Sequence, residues 1–110
     1  MLTEEAIREL LTQAANAPNN QAARAALVEL DEEGVEALTS AFYAGVSEAV
    51  GDVLIEVVGE IGGPDALSLL RYIYHFEEKH PSWQQAAKHG LLRNRDNLDQ
   101  KEIVDLLRGL

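Results

Sequence analysis

A pair-gap-pair pattern of apolar residues recurs three times along the chain, and it constrains the fold more than any other feature. On an α-helix, two apolar residues, a two-residue gap and two more apolar residues form one continuous stripe. The copies begin 31 and then 33 residues apart, a period typical of solenoids built from helix pairs. They are Ala22-Ala23 with Ala26-Leu27, Val53-Leu54 with Val57-Val58, and Ala86-Ala87 with Gly90-Leu91.

A second apolar stripe with helical spacing follows each copy. These stripes are Val35, Leu38 and Phe42, then Ala66, Leu69, Leu70 and Ile73, then Ile103, Leu106 and Leu107. One helix pair cannot bury its stripe alone, and stacking several pairs solves that problem. We therefore predict an all-α protein of about seven helices, an α-solenoid of about three antiparallel helix pairs in a single domain. Its units span roughly 3–31, 33–62 and 64–94, followed by a final helix over 99–109.

Residues that begin and end helices divide these segments. Ser47 is a typical N-cap for a fourth helix, Glu48–Ile61, which Gly62-Gly63 ends. Pro64 suits the first turn of the next helix, and Asp99 is the expected N-cap of the last one. These signals place short links between the helices, so neighbouring helices should pack antiparallel.

One boundary depends on a single glycine. Gly34 predicts a break between a second helix, about Gln21–Leu30, and a third, about Val35–Ala44. The β-branched segment Val53–Val58 has strand propensity. The helix signals on both sides of it favour a helix.

The segment Val50–Ala66, which reads VGDVLIEVVGEIGGPDA, resembles the HEAT-like repeat of the phycobilisome-lyase type. It departs from that repeat where Gly51 and Asp52 replace the usual basic residues, and where Trp83 takes a valine position in the following unit. The resemblance implies stacked helix pairs whose second helices line a concave binding face. It also implies an alternative function, as an accessory subunit of a bilin lyase or a pigment-handling protein.

Charge and composition exclude several classes of protein. The 110 residues include no cysteine, which rules out disulfides and thiolate metal sites. The net charge is −10, with most of the acids before residue 70, so nucleic-acid binding is disfavoured and a partner with a basic surface is favoured. No apolar run could span a membrane and no secretory signal is evident, so we expect a cytoplasmic protein without a membrane partner.

Candidate catalytic groups do not form a recognisable motif. The serines lie in no nucleophile motif, and the histidines, His75, His80 and His89, have no metal-ligand spacing. The many carboxylates are equally well explained as surface acids. We predict that the protein is not an enzyme and needs neither a metal nor another cofactor.

The second helix of each pair should carry the binding face, because in HEAT-like solenoids these helices line the concave side. The repeat register aligns their residues in rows, with Ile55 predicted to be exposed. The residues predicted to bind a partner are Gln21, Arg24, Asp52, Ile55, Glu56, Gln85, Lys88 and His89. A further row, Val28, Gly59 and Leu92, is assigned to the core.

Two other features bear on binding. Aromatic residues gather near one helix junction, where they either fill the core or form an interface hot spot; they are Tyr72, Tyr74, Phe76 and Trp83. The last helix is apolar toward its end, which predicts self-association through it or continuation into a longer protein.

Together these features favour a non-catalytic protein-interaction module or adaptor that binds another protein on its concave face. A second alternative is an acidic immunity or inhibitor protein that masks a basic partner by charge complementarity.

Overall fold

The structure is a computed structural model that describes residues 4–16 and 21–108. Within this part of the chain there are seven α-helices, one short 3₁₀ turn at Arg95–Asn97 and no strand. The prediction of an all-α protein with about seven helices is therefore confirmed. The helices are α1 Glu4–Asn16, α2 Gln21–Val28, α3 Asp31–Ala44, α4 Glu48–Ile61, α5 Pro64–Phe76, α6 Pro81–Arg93 and α7 Gln100–Arg108.

Both ends of α4 follow from local chemistry. The Ser47 hydroxyl accepts a hydrogen bond from the backbone N–H of Val50 at 3.3 Å, as an N-cap should. Gly62 and Gly63 have φ values of 72° and 93°, which residues with a Cβ rarely adopt. Pro64 then begins α5, where its missing N–H costs no helical hydrogen bond.

The predicted break at Gly34 is wrong. Helix α3 begins at Asp31, which makes the turn itself with φ +55°, a conformation that aspartate tolerates better than most residues. Gly34 lies inside α3, and its N–H donates to the carbonyl of Leu30 at 3.3 Å. A Cβ at Gly34 would lie 2.3 Å from the Cβ of Leu30, so this glycine serves close packing and not helix termination.

Helix α4 is the centre of the molecule, because α1, α2, α3, α5 and α6 all contact it. Helix α4 contacts both α2 and α6, and α3 contacts both α1 and α5. The side chains of Leu54, Val57 and Val58 are fully buried in the core. The helix contacts are those that three stacked helix pairs would make. The HEAT-like solenoid and its unit boundaries stay predictions.

Helix α7 is held by fewer contacts. The Asp99 carboxylate caps it by accepting a hydrogen bond from the N–H of Glu102 at 2.7 Å. The Glu102 carboxylate in turn accepts two hydrogen bonds from the guanidinium of Arg71 on α5, at 2.7 and 3.0 Å. This bond raises the pKa of Arg71 above its usual value. Leu106 is buried, whereas Val104 and Leu107 remain exposed.

Candidate functional site

An open groove runs across α2, α4 and α6, the helices that the sequence assigns to the binding face. We call it the central groove, and its volume is about 290 Å³. Small residues of α4 and α6 form its floor, and charged residues stand on both sides. It is lined by Arg24, Glu56, Gly59, Glu60, Ala86, His89, Gly90 and Arg93.

The floor is a direct approach of two helix backbones. A Cβ placed on Gly59 would lie 2.9 Å from the Cα of Gly90, a distance that real Cβ atoms essentially never show. Asn94 joins the same two residues, because its side-chain amide donates to the carbonyls of Gly59 at 2.9 Å and Gly90 at 2.7 Å. The assignment of Gly59 to the interior is consistent with its burial. Its lack of a side chain keeps the groove floor low.

The walls of the groove are two ion pairs between neighbouring helices. Arg24 of α2 pairs with Glu56 of α4, and Arg93 of α6 pairs with Glu60 of α4 at 3.4 Å. All four side chains are about a third exposed or more. Exposed pairs of this kind contribute only about 0–1 kcal/mol to stability. A partner could therefore rearrange these side chains at little cost to the fold.

Polar atoms with unmet hydrogen bonds lie beside this wall. Arg24 Nε and Asp52 Oδ1 are shielded from solvent, and neither has a hydrogen-bond partner among the described residues. Asp52 lies one helical turn before Glu56, on the same side of α4. It is half-buried, and is thus less accessible to a partner than predicted.

The prediction that Ile55 is exposed is wrong, because its side chain is fully buried. Ile55 lies one helical turn from both Gly51 and Gly59, the two glycines at which α4 approaches α6 most closely. A Cβ on Gly51 would lie 2.4 Å from the indole ring of Trp83 on α6. Because α6 covers this side of α4, Ile55 cannot contact a partner.

Lys88 is also misplaced in the predicted binding set, since only 3% of its surface is exposed. It lies one turn after Gln84, whose side-chain amide donates to the Tyr74 carbonyl near the end of α5 at 3.1 Å. This places Lys88 on the flank of α6 that faces α5. Its ammonium Nζ is buried, with no hydrogen-bond partner in the part of the chain that the structure describes.

Three of the remaining predicted residues line the groove. His89 and Glu56 line it and are exposed, and Arg24 lines it from α2. Gln85 is exposed on α6 but does not line the groove. Gln21 begins α2, and its side chain lies outside the described part of the structure.

Residue-by-residue alignment of the repeats missed the second ion pair. Glu60 and Arg93 each lie four residues after a predicted position, Glu56 and His89, so they share the same helix faces. This spacing was visible in the sequence. The role of Asn94 was not, because it depends on the distance between the ends of α4 and α6.

The aromatic residues are divided between the core and the surface. Trp83 is buried, stacks on the ring of His80 at 4.0 Å, and donates its indole N–H to the Glu48 carbonyl at 3.0 Å. Phe76 and Tyr72 are exposed on α5, where they are available to a partner. Trp83 thus fits the interpretation of core filling, while an interface hot spot at Tyr72 and Phe76 stays a prediction.

Other kinds of site are weakly represented. Across the described residues, no three His, Asp or Glu side chains lie close enough together to hold a metal ion. No helix in the described ranges is both long and apolar enough to cross a bilayer. The central groove itself presents charged and hydrogen-bonding side chains around a floor of small residues.

No known protein family, curated protein or solved structure matches the chain. The resemblance to HEAT-like repeats consequently stays a prediction that derives from the residues of Val50–Ala66. The class of the protein rests on its geometry: an all-α domain with an open groove across three of its helices.

Proposed function

We propose that this chain is a non-catalytic protein-interaction module, an adaptor that holds a segment of another protein in the central groove. The observation that carries the proposal is the floor of Gly59, Ala86 and Gly90 between two ion-paired walls. A floor without large side chains lets the partner's backbone or a side chain approach the helices closely. The walls supply donors and acceptors that can fix its orientation.

The shape of the groove favours a polypeptide over a small molecule. Small-molecule sites usually enclose about 300–1,000 Å³; at about 290 Å³ this groove lies at the lower limit of that range, and it is open to solvent where such sites are enclosed. An enclosed cleft is also what acid–base catalysis needs. The alternative of pigment handling, which derives from the family resemblance, would require a tetrapyrrole to bind with most of its surface outside the groove.

Electrostatic interactions would contribute to binding both within the groove and at long range. The walls carry both signs, because Arg24 and Arg93 oppose Glu56 and Glu60. The net charge of −10 acts further away and steers a basic partner toward the surface. If the protein is instead an acidic inhibitor that masks a basic partner, long-range charge should dominate the affinity and added salt should weaken it sharply.

Affinity capture from the source cells, with variants of one wall pair, tests the proposal. We expect Glu60→Arg and Arg93→Glu each to lose the partner that the wild type captures, because each reverses the sign of a charge that the partner would contact. Glu60 and Arg93 are exposed enough for both variants to fold, which circular dichroism would check. Capture repeated at about 1 M salt, where the Debye length is about 3 Å, distinguishes the inhibitor alternative.

The matched control is the double variant Glu60→Arg/Arg93→Glu. It keeps an ion pair between α4 and α6 but reverses its direction, so it separates loss of stability from loss of recognition. We expect the double variant to remain unable to capture the partner. If it captures the same partner as the wild type, the partner does not contact this wall and the proposal is wrong.

A further inference from the structure

Three exposed aromatic rings form a continuous surface outside the central groove. Tyr43 of α3 is 58% exposed, and Tyr72 and Phe76 of α5 are 37% and 69% exposed. The Tyr43 and Tyr72 ring centroids are 5.5 Å apart, and those of Tyr72 and Phe76 are 5.2 Å apart. We call these three residues the aromatic patch. A contiguous exposed patch of this kind usually marks a binding surface.

Acidic residues flank the aromatic patch at both ends. Glu36 and Asp65 line a groove of about 390 Å³ between α3 and α5, which Tyr43 also lines. Glu77 and Glu78 follow Phe76 directly in the chain. From Asp65 to Phe76 the surface extends about 16 Å along α5. The patch is therefore an apolar strip with negative charge at each end.

Helix α7 presents the complementary arrangement. Val104 is 38% exposed and Leu107 is 51% exposed, and Lys101 and Arg108 are exposed as well. At 100° per residue these four residues lie within about 120° of one another around the helix. We call them the α7 outer face. It has two apolar side chains between two cations that are about 10 Å apart along the helix axis, and the exposed Asp105 lies on the flank of the helix beside both cations.

We propose that the aromatic patch of one molecule binds the α7 outer face of a second copy of this chain. Val104 and Leu107 would cover the aromatic rings, while Lys101 and Arg108 would reach the carboxylates at the two ends. The α7 helix of the second copy would lie lengthwise along α5, beside α3, and the side chains of both surfaces are exposed in the single molecule. None of these residues lines the central groove, so the inference is independent of the proposed function.

The contact is head-to-tail, because it joins two different surfaces of the same molecule. Such heterologous contacts build open chains unless a rotation closes them into a ring. One helix on two others buries less than the roughly 1,600 Å² of a standard interface. We therefore expect weak association, with a dissociation constant on the order of 10–1,000 µM.

Sedimentation equilibrium between about 10 µM and about 1 mM tests this proposal directly. We expect the mean mass of the wild type to rise with concentration. Leu107→Glu removes the α7 outer face, and Phe76→Glu removes the aromatic patch. Each should weaken association at least about ten-fold, because a buried carboxylate then opposes apolar or acidic groups. Both sites are more than half exposed, so the monomer should stay folded.

A mixture of the two variants supplies the decisive comparison. The Leu107→Glu molecule keeps its aromatic patch and the Phe76→Glu molecule keeps its α7 outer face. The mixture should therefore form a one-to-one dimer and nothing larger. Gln13→Glu, at an exposed site on α1, is the matched control and should associate like the wild type.

Three results would overturn the proposal. The first is a wild type that stays monomeric at about 1 mM. The second is association that Leu107→Glu abolishes and Phe76→Glu leaves intact, which would indicate contact between two α7 helices. The third is a mixture of the two variants that does not associate.

Discussion

Replacement of Lys88 by methionine should stabilise the protein. Only 3% of Lys88 is exposed, and its ammonium group has no hydrogen-bond partner among the described residues. Removal of a charge from water without a partner is unfavourable, while the hydrocarbon stem of the lysine is favourably buried. Methionine keeps an unbranched stem of similar length and removes the charge.

The magnitude follows from the polar group that is lost. A buried donor without a partner costs about 1–3 kcal/mol, and a charged donor costs more. Since the stem is retained, we expect Lys88→Met to raise the free energy of unfolding by about 1–3 kcal/mol. For a chain of this length that is a rise in Tm of roughly 4–12 °C. Lys88→Ala should gain less, because it also leaves a cavity.

Urea denaturation followed by circular dichroism measures this effect. Lys79→Met is the control, since Lys79 is exposed and its replacement should change the free energy of unfolding by less than about 0.5 kcal/mol. If Lys88→Met instead destabilises the protein by more than about 1 kcal/mol, the ammonium has a partner in solution and the reasoning fails.

Three other substitutions test separate parts of the fold. Gly59→Ala should destabilise the protein by about 1–3 kcal/mol in urea, although alanine is the better helix former, because its Cβ would lie 2.9 Å from the Cα of Gly90; a more stable variant would contradict that contact. Ser47→Ala should cost about 1 kcal/mol through loss of the N-cap, and an unchanged denaturation midpoint would exclude the cap. Glu102→Gln should weaken the bond from Arg71 and speed hydrogen exchange in α7 while α4 exchanges as before; equal effects on both helices would show that α7 does not open separately.

The helix ends that the sequence predicted correctly depend on single residues and their immediate neighbours. Ser47 caps α4 and Pro64 begins α5 because capping and proline geometry act within one helical turn. The sequence analysis placed the start of α3 too late because Asp31 adopts the left-handed conformation that glycine usually supplies. Gly34 is instead needed because a side chain at this position would clash with Leu30. The local sequence alone does not distinguish a residue that makes a turn, such as Asp31, from a glycine that permits close packing, such as Gly34.

The exposure of residues on the binding face was less predictable, because it depends on neighbouring helices. The repeat register treats Ile55 and Lys88 as equivalent to Arg24, yet the first two are buried and Arg24 is partly exposed. Helix α6 covers Ile55 because glycines let it approach α4. Arg24 of α2 instead remains partly exposed and pairs with Glu56.

Trp83 is an intrinsic fluorescent probe of the protein's core. It is the one tryptophan of the sequence, and its buried indole lies where α3, α4 and α6 meet: it is 5.2 Å from the Phe42 ring and is bonded to the Glu48 carbonyl. Its fluorescence therefore reports on the junction of these helices without any label. Helix α7 contains no chromophore of this kind, so a fluorescence-detected unfolding curve follows the centre of the molecule while α7 could detach unseen.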